Sequence, residues 1–193
     1  MKKAVLVVFI LLVCGIGYLY AQRFPKDPNS ATFGIYGNPV GFLTFGPIIG
    51  AEFTWSHLNI ETHVRFPSVG LLVPILHDID YAITIEKGFG VGIGAKYFLP
   101  SRIGGFYAGG FFEFSRYTAD YDNYNEYDKT TTMAFGASVG YRFVLSFGLY
   151  FRAGAYLGVA VSKTDNFEAY YDVRHYKDVM FFGMPDLSIG FCF

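Results

Sequence analysis

The chain ends in the stretch Val179-Met180-Phe181-Phe182-Gly183-Met184-Pro185-Asp186-Leu187-Ser188-Ile189-Gly190-Phe191-Cys192-Phe193. Its odd-numbered positions hold apolar residues, glycine or proline, whereas its even-numbered positions include Asp186, Ser188 and Cys192. Successive side chains of a β-strand point to opposite faces, so a repeat of two residues is typical of a strand. A soluble sheet rarely presents so apolar a face at its surface. We therefore predict a strand whose apolar face lies against lipid.

The composition fits a chain built from such strands. The 193 residues are enough for one domain of moderate size. Charged residues make up 16%, well below the usual quarter, while aromatic residues make up 20% and glycine occurs 23 times. The net charge is -1 and the sequence contains no basic cluster, so nucleic acid and strongly acidic partners are not expected.

The N-terminus has the features of an export signal. Lys2-Lys3 precede the apolar run Ala4–Val13, and the small residue Ala21 follows. This order predicts a secretory signal peptide over residues 1–21, followed by an irregular leader over residues 22–31. Two alternatives remain open, a lipoprotein signal modified at Cys14 and a retained membrane anchor. After cleavage the chain keeps Cys192 as its single cysteine, so no internal disulfide is expected.

The alternation of the last stretch recurs along the chain. A transmembrane helix over the uncharged residues 31–51 is the rival interpretation there, but five glycines and two prolines interrupt it. Eight strands are therefore predicted, namely Thr32–Phe45, Ile48–Ser56, Leu58–Phe66, Ala82–Phe98, Gly105–Tyr117, Thr131–Val144, Phe147–Ser162 and the C-terminal stretch.

Short and long connections alternate between these strands. Short turns are predicted at Ser56-His57, Pro100–Gly104 and Leu145-Ser146, and a tight first hairpin near Gly46-Pro47. Long loops are predicted over residues 67–81, 119–130 and 163–178. This arrangement predicts an all-β, eight-stranded antiparallel up-and-down transmembrane barrel over residues 32–193, with short periplasmic turns and longer extracellular loops.

Nearly every charge within the strands falls on the polar parity. Lys87 is the exception, and it sits near a long loop. Carboxylates and cations almost balance, which predicts a core of paired charges, because an eight-stranded barrel is just wide enough to be filled by side chains. A narrow gated conduit is the alternative. The predicted interior network comprises Glu52, Glu61, His63, Arg65, Glu86, Lys96, Glu113, Arg142, Arg152 and Asp186.

With these features the chain resembles the small eight-stranded outer-membrane barrel proteins, such as the OmpA membrane domain and the OmpX and Ail-like proteins. The resemblance covers residues 22–193 and is architectural, so it carries no catalytic residue across. It implies location in a bacterial outer membrane and contact with outer-membrane lipid. It also implies recognition of the terminal segment Phe191-Cys192-Phe193 by the barrel-assembly machinery.

Aromatic residues are predicted at both ends of the barrel. A girdle on the periplasmic side is expected from Trp55, Tyr97, Tyr141, Phe143, Phe147, Phe191 and Phe193. A candidate surface-recognition loop comprises Asp120, Tyr121, Asp122, Tyr124, Glu126, Tyr127 and Asp128. Its tyrosines fit a lipid headgroup boundary equally well. It lacks the glycine and glutamate of a calcium-binding EF-hand loop, and no metal or cofactor is expected. The apolar segment Gly70–Leu76 has no assigned role.

The sequence favours a non-enzymatic function. No serine or threonine lies two residues from the inward His63, as a nucleophile on the same strand face would. We expect a monomeric structural or surface-interaction protein that contacts an extracellular ligand through its loops. A small channel, an outer-membrane lipid-modifying enzyme and a soluble ligand-binding barrel are the alternatives.

Overall fold

The computed structural model describes residues 31–43, 45–68, 83–99, 104–121, 127–165 and 175–193. The predicted signal peptide, and the leader apart from Ala31, lie outside the described residues. Eight antiparallel strands form a closed barrel in which each strand pairs with its neighbours in sequence and the first pairs with the last, which confirms the predicted all-β, eight-stranded up-and-down barrel. The strands are β1 (Thr32–Asn38), β2 (Ile48–Trp55), β3 (Leu58–Arg65), β4 (Ile83–Leu99), β5 (Gly105–Tyr121), β6 (Tyr127–Val144), β7 (Leu149–Asp165) and β8 (His175–Cys192).

The strands are strongly inclined to the barrel axis. A row of paired residues that starts at Gly34 of β1 passes around the barrel and reaches β8 at Phe182. Gly34 itself pairs with Cys192 of β8, ten residues farther along that strand. This offset is the shear of the barrel, and for eight strands it corresponds to a tilt of about 40°. At that tilt the interior is wide enough for side chains and little more.

The two faces of the wall differ completely in character. On β3 the exposed and buried positions alternate without exception. Large apolar side chains project from the outer face of every strand, and Phe181 is 83% exposed. On β7 this apolar face extends over ten residue steps from Phe151 to Val161, which at about 3.3 Å per residue and the tilt above makes a belt about 25 Å tall.

The first hairpin differs from the prediction. β1 ends at Asn38 rather than continuing to Phe45, and the 3-10 helix Pro39–Leu43 follows it. Pro39 ends the strand because proline has no N–H to donate to the ladder. Gly46 has a φ of 106°, and a Cβ there would overlap the carbonyl oxygen of Phe66. Only glycine fits this close backbone approach. In the described part of the chain no helix is long and apolar enough to cross a membrane.

Two of the three predicted long loops are shorter than expected. β5 continues to Tyr121 and β6 begins at Tyr127, so only residues 122–126 connect them, and only residues 166–174 connect β7 to β8. Cross-strand hydroxyl pairs extend the ladder here, with Thr130 Oγ1 3.0 Å from Thr164 Oγ1 and Thr132 Oγ1 2.9 Å from Ser162 Oγ. β4–β8 are therefore 17 or 18 residues long, whereas β1–β3 have 7 or 8.

Glycines inside the barrel make room for large side chains on the neighbouring strand. A Cβ on Gly190 would lie 2.3 Å from the ring of Tyr150, its partner on β7, and 2.7 Å from the carbonyl oxygen of Ile35. Tyr150 is fully buried, so its ring has no space to move away. Glycine on one strand thus leaves the space that a large ring on its neighbour occupies in the narrow interior.

Gly190→Ala should therefore destabilise the barrel by about 1–3 kcal/mol through overpacking. Gly110→Ala is the matched control, because its added Cβ would meet nothing closer than the carbonyl oxygen of Gly136 at 3.5 Å. The measurement is urea unfolding of each variant refolded in detergent micelles. Equal midpoints for the two variants would contradict the packing described.

Candidate functional site: the charged barrel interior

The interior collects nine of the ten residues predicted to form the polar network. All nine have buried side chains, and Arg142, Arg152 and Lys96 are at most 2% exposed. The tenth, Glu86, sits at a β-bulge, where the register between β4 and β5 slips between Ile85 and Lys87. Its side chain lies outside the described residues. Lys87, the expected exception, is exposed on the outer face, and so is Arg116 of β5, so the prediction of a single exception was wrong.

Glu61 joins two cations at the centre of the network. Its Oε1 accepts from Lys96 Nζ at 2.6 Å and its Oε2 accepts from Arg152 Nη1 at 2.7 Å. β3, β4 and β7 supply these three side chains, so the cluster ties together strands that are distant in sequence. Each oxygen of the carboxylate has its own cationic donor, which is the arrangement that best offsets the cost of removing the charges from water.

Asp186 of β8 is the second anionic partner of Arg152. Arg152 Nε lies 2.8 Å from Asp186 Oδ2 as an ion pair. Tyr107 Oη donates to the same oxygen at 3.1 Å, and Ser188 Oγ and Asn38 Nδ2 donate to Oδ1 at 2.5 Å and 3.3 Å. Asp186 thus links the short strand β1 to the long strands β5, β7 and β8.

A separate ion pair lies nearer the short-turn end of the barrel, the end that carries the turns at Ser56-His57 and Leu145-Ser146. Arg142 Nη1 donates to Glu52 Oε1 at 2.6 Å. The guanidinium also stacks over two rings, with its Cζ 4.1 Å from the centroid of Phe98 and 5.0 Å from that of Tyr150. Cys192 Sγ is 3.6 Å from the same carboxylate oxygen. The free thiol is therefore part of the packed interior.

The third cluster lies toward the opposite end. Arg65 donates two parallel hydrogen bonds to Glu113, from Nε to Oε1 at 2.7 Å and from Nη2 to Oε2 at 2.9 Å. His63 Nε2 is 2.9 Å from Glu113 Oε2, and Arg65 Nη1 also donates to the carbonyl oxygen of Gly46 at 3.3 Å. Arg65 therefore fastens the first hairpin to the core.

The three clusters together balance four carboxylates against four permanent cations. They follow one another along the barrel. Two of them contain an ion pair between strands on opposite sides of the ring, Glu52 with Arg142 and Glu61 with Arg152.

Aromatic rings surround these charges, and they were not among the residues predicted to form the network. Arg152 Cζ lies 4.7 Å from the centroid of the Tyr36 ring, and Lys96 Nζ lies 5.2 Å and 5.6 Å from those of Tyr107 and Tyr156. The alternation assigns all three tyrosines to the inward parity, so the signal was present. An inward tyrosine in such a barrel can be expected to lie over a cation.

His63 has no nucleophilic side chain hydrogen-bonded to it among the described residues. One ring nitrogen contacts Glu113, and Nδ1 has no hydrogen-bond partner in the described part of the chain. A triad requires the histidine to bridge an acid and a nucleophile. The described residues also contain no group of three histidine, cysteine or acidic side chains that would hold a metal ion.

The predicted girdle residues lie on the outer wall or the turns at the short-turn end. Phe191 is half-buried and the other six are exposed, and Phe191 and Phe193 stack with centroids 6.4 Å apart. The candidate recognition loop is divided differently from the prediction. Asp120, Tyr121, Tyr127 and Asp128 belong to β5 and β6, and their side chains are not described, while Asp122, Tyr124 and Glu126 lie outside the described residues. Gly70–Leu76 also lies outside them.

Comparison with models of protein families, with curated proteins and with solved structures finds no match to this chain.

The isolated pair of Glu52 and Arg142 gives the cleanest test of the interior. Arg142→Met leaves a buried carboxylate without its cation and should cost about 3–5 kcal/mol of unfolding free energy. Adding Glu52→Gln should recover part of that loss, since no uncompensated charge remains. Urea unfolding in micelles measures both. Lys129→Met, at an exposed outer position, is the control and should change stability by at most about 0.5 kcal/mol. An Arg142→Met barrel as stable as that control would show that the pair contributes nothing.

Proposed function

We propose that this protein is a non-enzymatic outer-membrane β-barrel, a closed structural unit that spans the membrane. It interacts with its surroundings through its long-connection end, the end of the barrel where residues 122–126 connect β5 to β6 and residues 166–174 connect β7 to β8. Export by the signal peptide over residues 1–21 and recognition of the terminal strand by the assembly machinery are part of the proposal.

The segregation of charge between the two faces of the wall supports it most. Over the apolar belt, no described outward-facing side chain of any strand is charged, whereas the inward face holds four carboxylates and four cations. An Arg or Lys on the lipid face costs about 2–4 kcal/mol at the midplane. A water-soluble ligand-binding barrel would have the opposite distribution, with its apolar residues inside.

The interior favours a closed barrel over a channel. A conducting path requires water and ions to pass between the side chains, and here two ion pairs cross the lumen, Arg142 to Glu52 at 2.6 Å and Arg152 to Glu61 at 2.7 Å. The other cations contact carboxylates on adjacent or next-but-one strands at 2.6–2.8 Å. A lipid-modifying enzyme is disfavoured because His63 has no nucleophile among the described side chains. Neither alternative has an observation in its favour.

The proposal predicts that the mature chain, residues 22–193, folds only with detergent or lipid. On a gel it should migrate faster unheated than boiled, because a folded barrel is more compact than the unfolded chain. In planar bilayers the same sample should show no stable open-channel current. A mature chain that is soluble and folded without detergent would contradict the membrane assignment, and steady single-channel conductance would contradict the closed interior.

The interaction role is tested separately. Replacing residues 122–126 with an Asn-Gly turn, which suits a two-residue hairpin, should leave the heat-modifiable migration unchanged. Cells displaying this variant should attach less to a panel of protein-coated surfaces than cells displaying the parent. The control is an equal change on the opposite end, Ser56-His57→Asn-Gly. Loss of attachment in the control alone would overturn the assignment of the interacting end.

A further inference from the structure

The outer face of the five long strands changes character at one place on each strand. Followed from the apolar belt toward the long-connection end, the first charged residue at an outward position is basic on every one of them. These residues are Lys87 on β4, Arg116 on β5, Lys129 on β6, Lys163 on β7 and Lys177 on β8. The side chains of the first four are exposed, and they are called the basic band here.

The pairing of the strands brings the band together. Lys87 and Lys129 both pair with Thr118, so they flank one position of β5. Arg116 and Lys163 likewise both pair with Thr131 of β6. All four residues therefore lie in two successive rows of outward parity, with one row of inward parity between them. In the sequence they are single residues separated by 13 or more positions, which is why no basic cluster was expected there.

The band borders the apolar belt directly. The row of outward residues immediately below it is entirely apolar, namely Val91, Phe114, Met133, Val161 and Val179. Among the residues of outward parity, the acidic residue nearest the belt is Asp165, which pairs with Lys129 in the outer of the two rows, and Asp120 lies beyond both rows. Asp178 of β8 pairs with Ser162 and has the inward parity. Moving outward from the belt, the described outer face of β4–β7 is therefore first apolar and then basic.

We propose that the basic band binds anionic, phosphate-bearing lipid headgroups at the long-connection end of the barrel. The inference rests on the proposed function, since it needs the apolar belt to lie in hydrocarbon. Lipid phosphates then lie next to the belt, at the height of the band. Arg116 can bind a phosphate through two parallel N–H groups, and the lysines add point charges. Each cation near an anionic membrane surface strengthens binding about fivefold.

A lipid fits this surface better than a nucleic acid does. The band is a strip only two ladder rows deep, and Phe89, which lies in the same row as Arg116, is 52% exposed. A surface that alternates cations with an exposed aromatic ring above an apolar belt contacts a headgroup and the start of its acyl chain together. The net charge of -1 gives no long-range attraction to a polyanion.

The test uses the mature chain folded in neutral micelles and titrated with phosphatidylglycerol or phosphatidylcholine, with bound lipid counted by native mass spectrometry. The parent should prefer phosphatidylglycerol. The triple variant Lys87→Gln, Arg116→Gln, Lys129→Gln should bind it at least tenfold more weakly, with phosphatidylcholine binding unchanged. The matched control Lys87→Arg, Arg116→Lys, Lys129→Arg keeps the charge and should keep the preference. Salt at 0.5 M should reduce the preference, because exposed charges are screened.

Several outcomes would overturn the proposal. One is equal affinity of the parent and the triple variant for phosphatidylglycerol. A second is displacement of that lipid by millimolar inorganic phosphate, which would make the band a site for free anions. A third is binding of a short DNA duplex more tightly than phosphatidylglycerol. Gel migration of the same samples separates this failure from that of the proposed function. A parent that shifts on heating but binds without preference refutes only the band, whereas a parent that never folds in micelles refutes the membrane barrel.

Discussion

The structure depends on the cost of burying charge. Four carboxylates and four cations lie within a barrel only wide enough for side chains, and each is stable there because a partner of opposite sign lies within 3 Å. Removing one member of a pair would leave the other as an unpaired charge in surroundings that solvate it poorly. Since the partners come from strands as distant as β2 and β6, the pairing also fixes how the wall closes. The tyrosine and phenylalanine rings that line the same space pack against the cations and exclude alternative positions for them.

The two ends of this wall differ in structure. At the short-turn end the eight strands finish near one another among exposed aromatic residues. Toward the other end β1–β3 stop early, Arg65 holds the first hairpin against the core, and β4–β8 continue as a five-stranded wall that carries the basic band.

The alternation of side chains was enough to predict the fold and the inward position of nine charged residues. It could not predict which charges would meet. Glu52 and Arg142 are 90 residues apart, and their contact follows from the shear of the barrel, a property of all eight strands together. The early end of β1 before Pro39 depends on the missing N–H of proline, and the continued pairing of β6 with β7 includes cross-strand hydroxyl pairs. The basic band has no signature along the chain, because only the strand register brings its members together.

The central claim is that one parity of the strands faces hydrocarbon and the other faces the paired charges. Trp55 is the single tryptophan, so Trp55→Phe gives a background for placing one tryptophan at a time. Quenching by lipids brominated along the acyl chain reports whether the indole lies in hydrocarbon. The account predicts strong quenching of Phe135→Trp, on the outer face, and little quenching of Tyr156→Trp, on the inner face. Strong quenching of the inner probe and none of the outer one would contradict it.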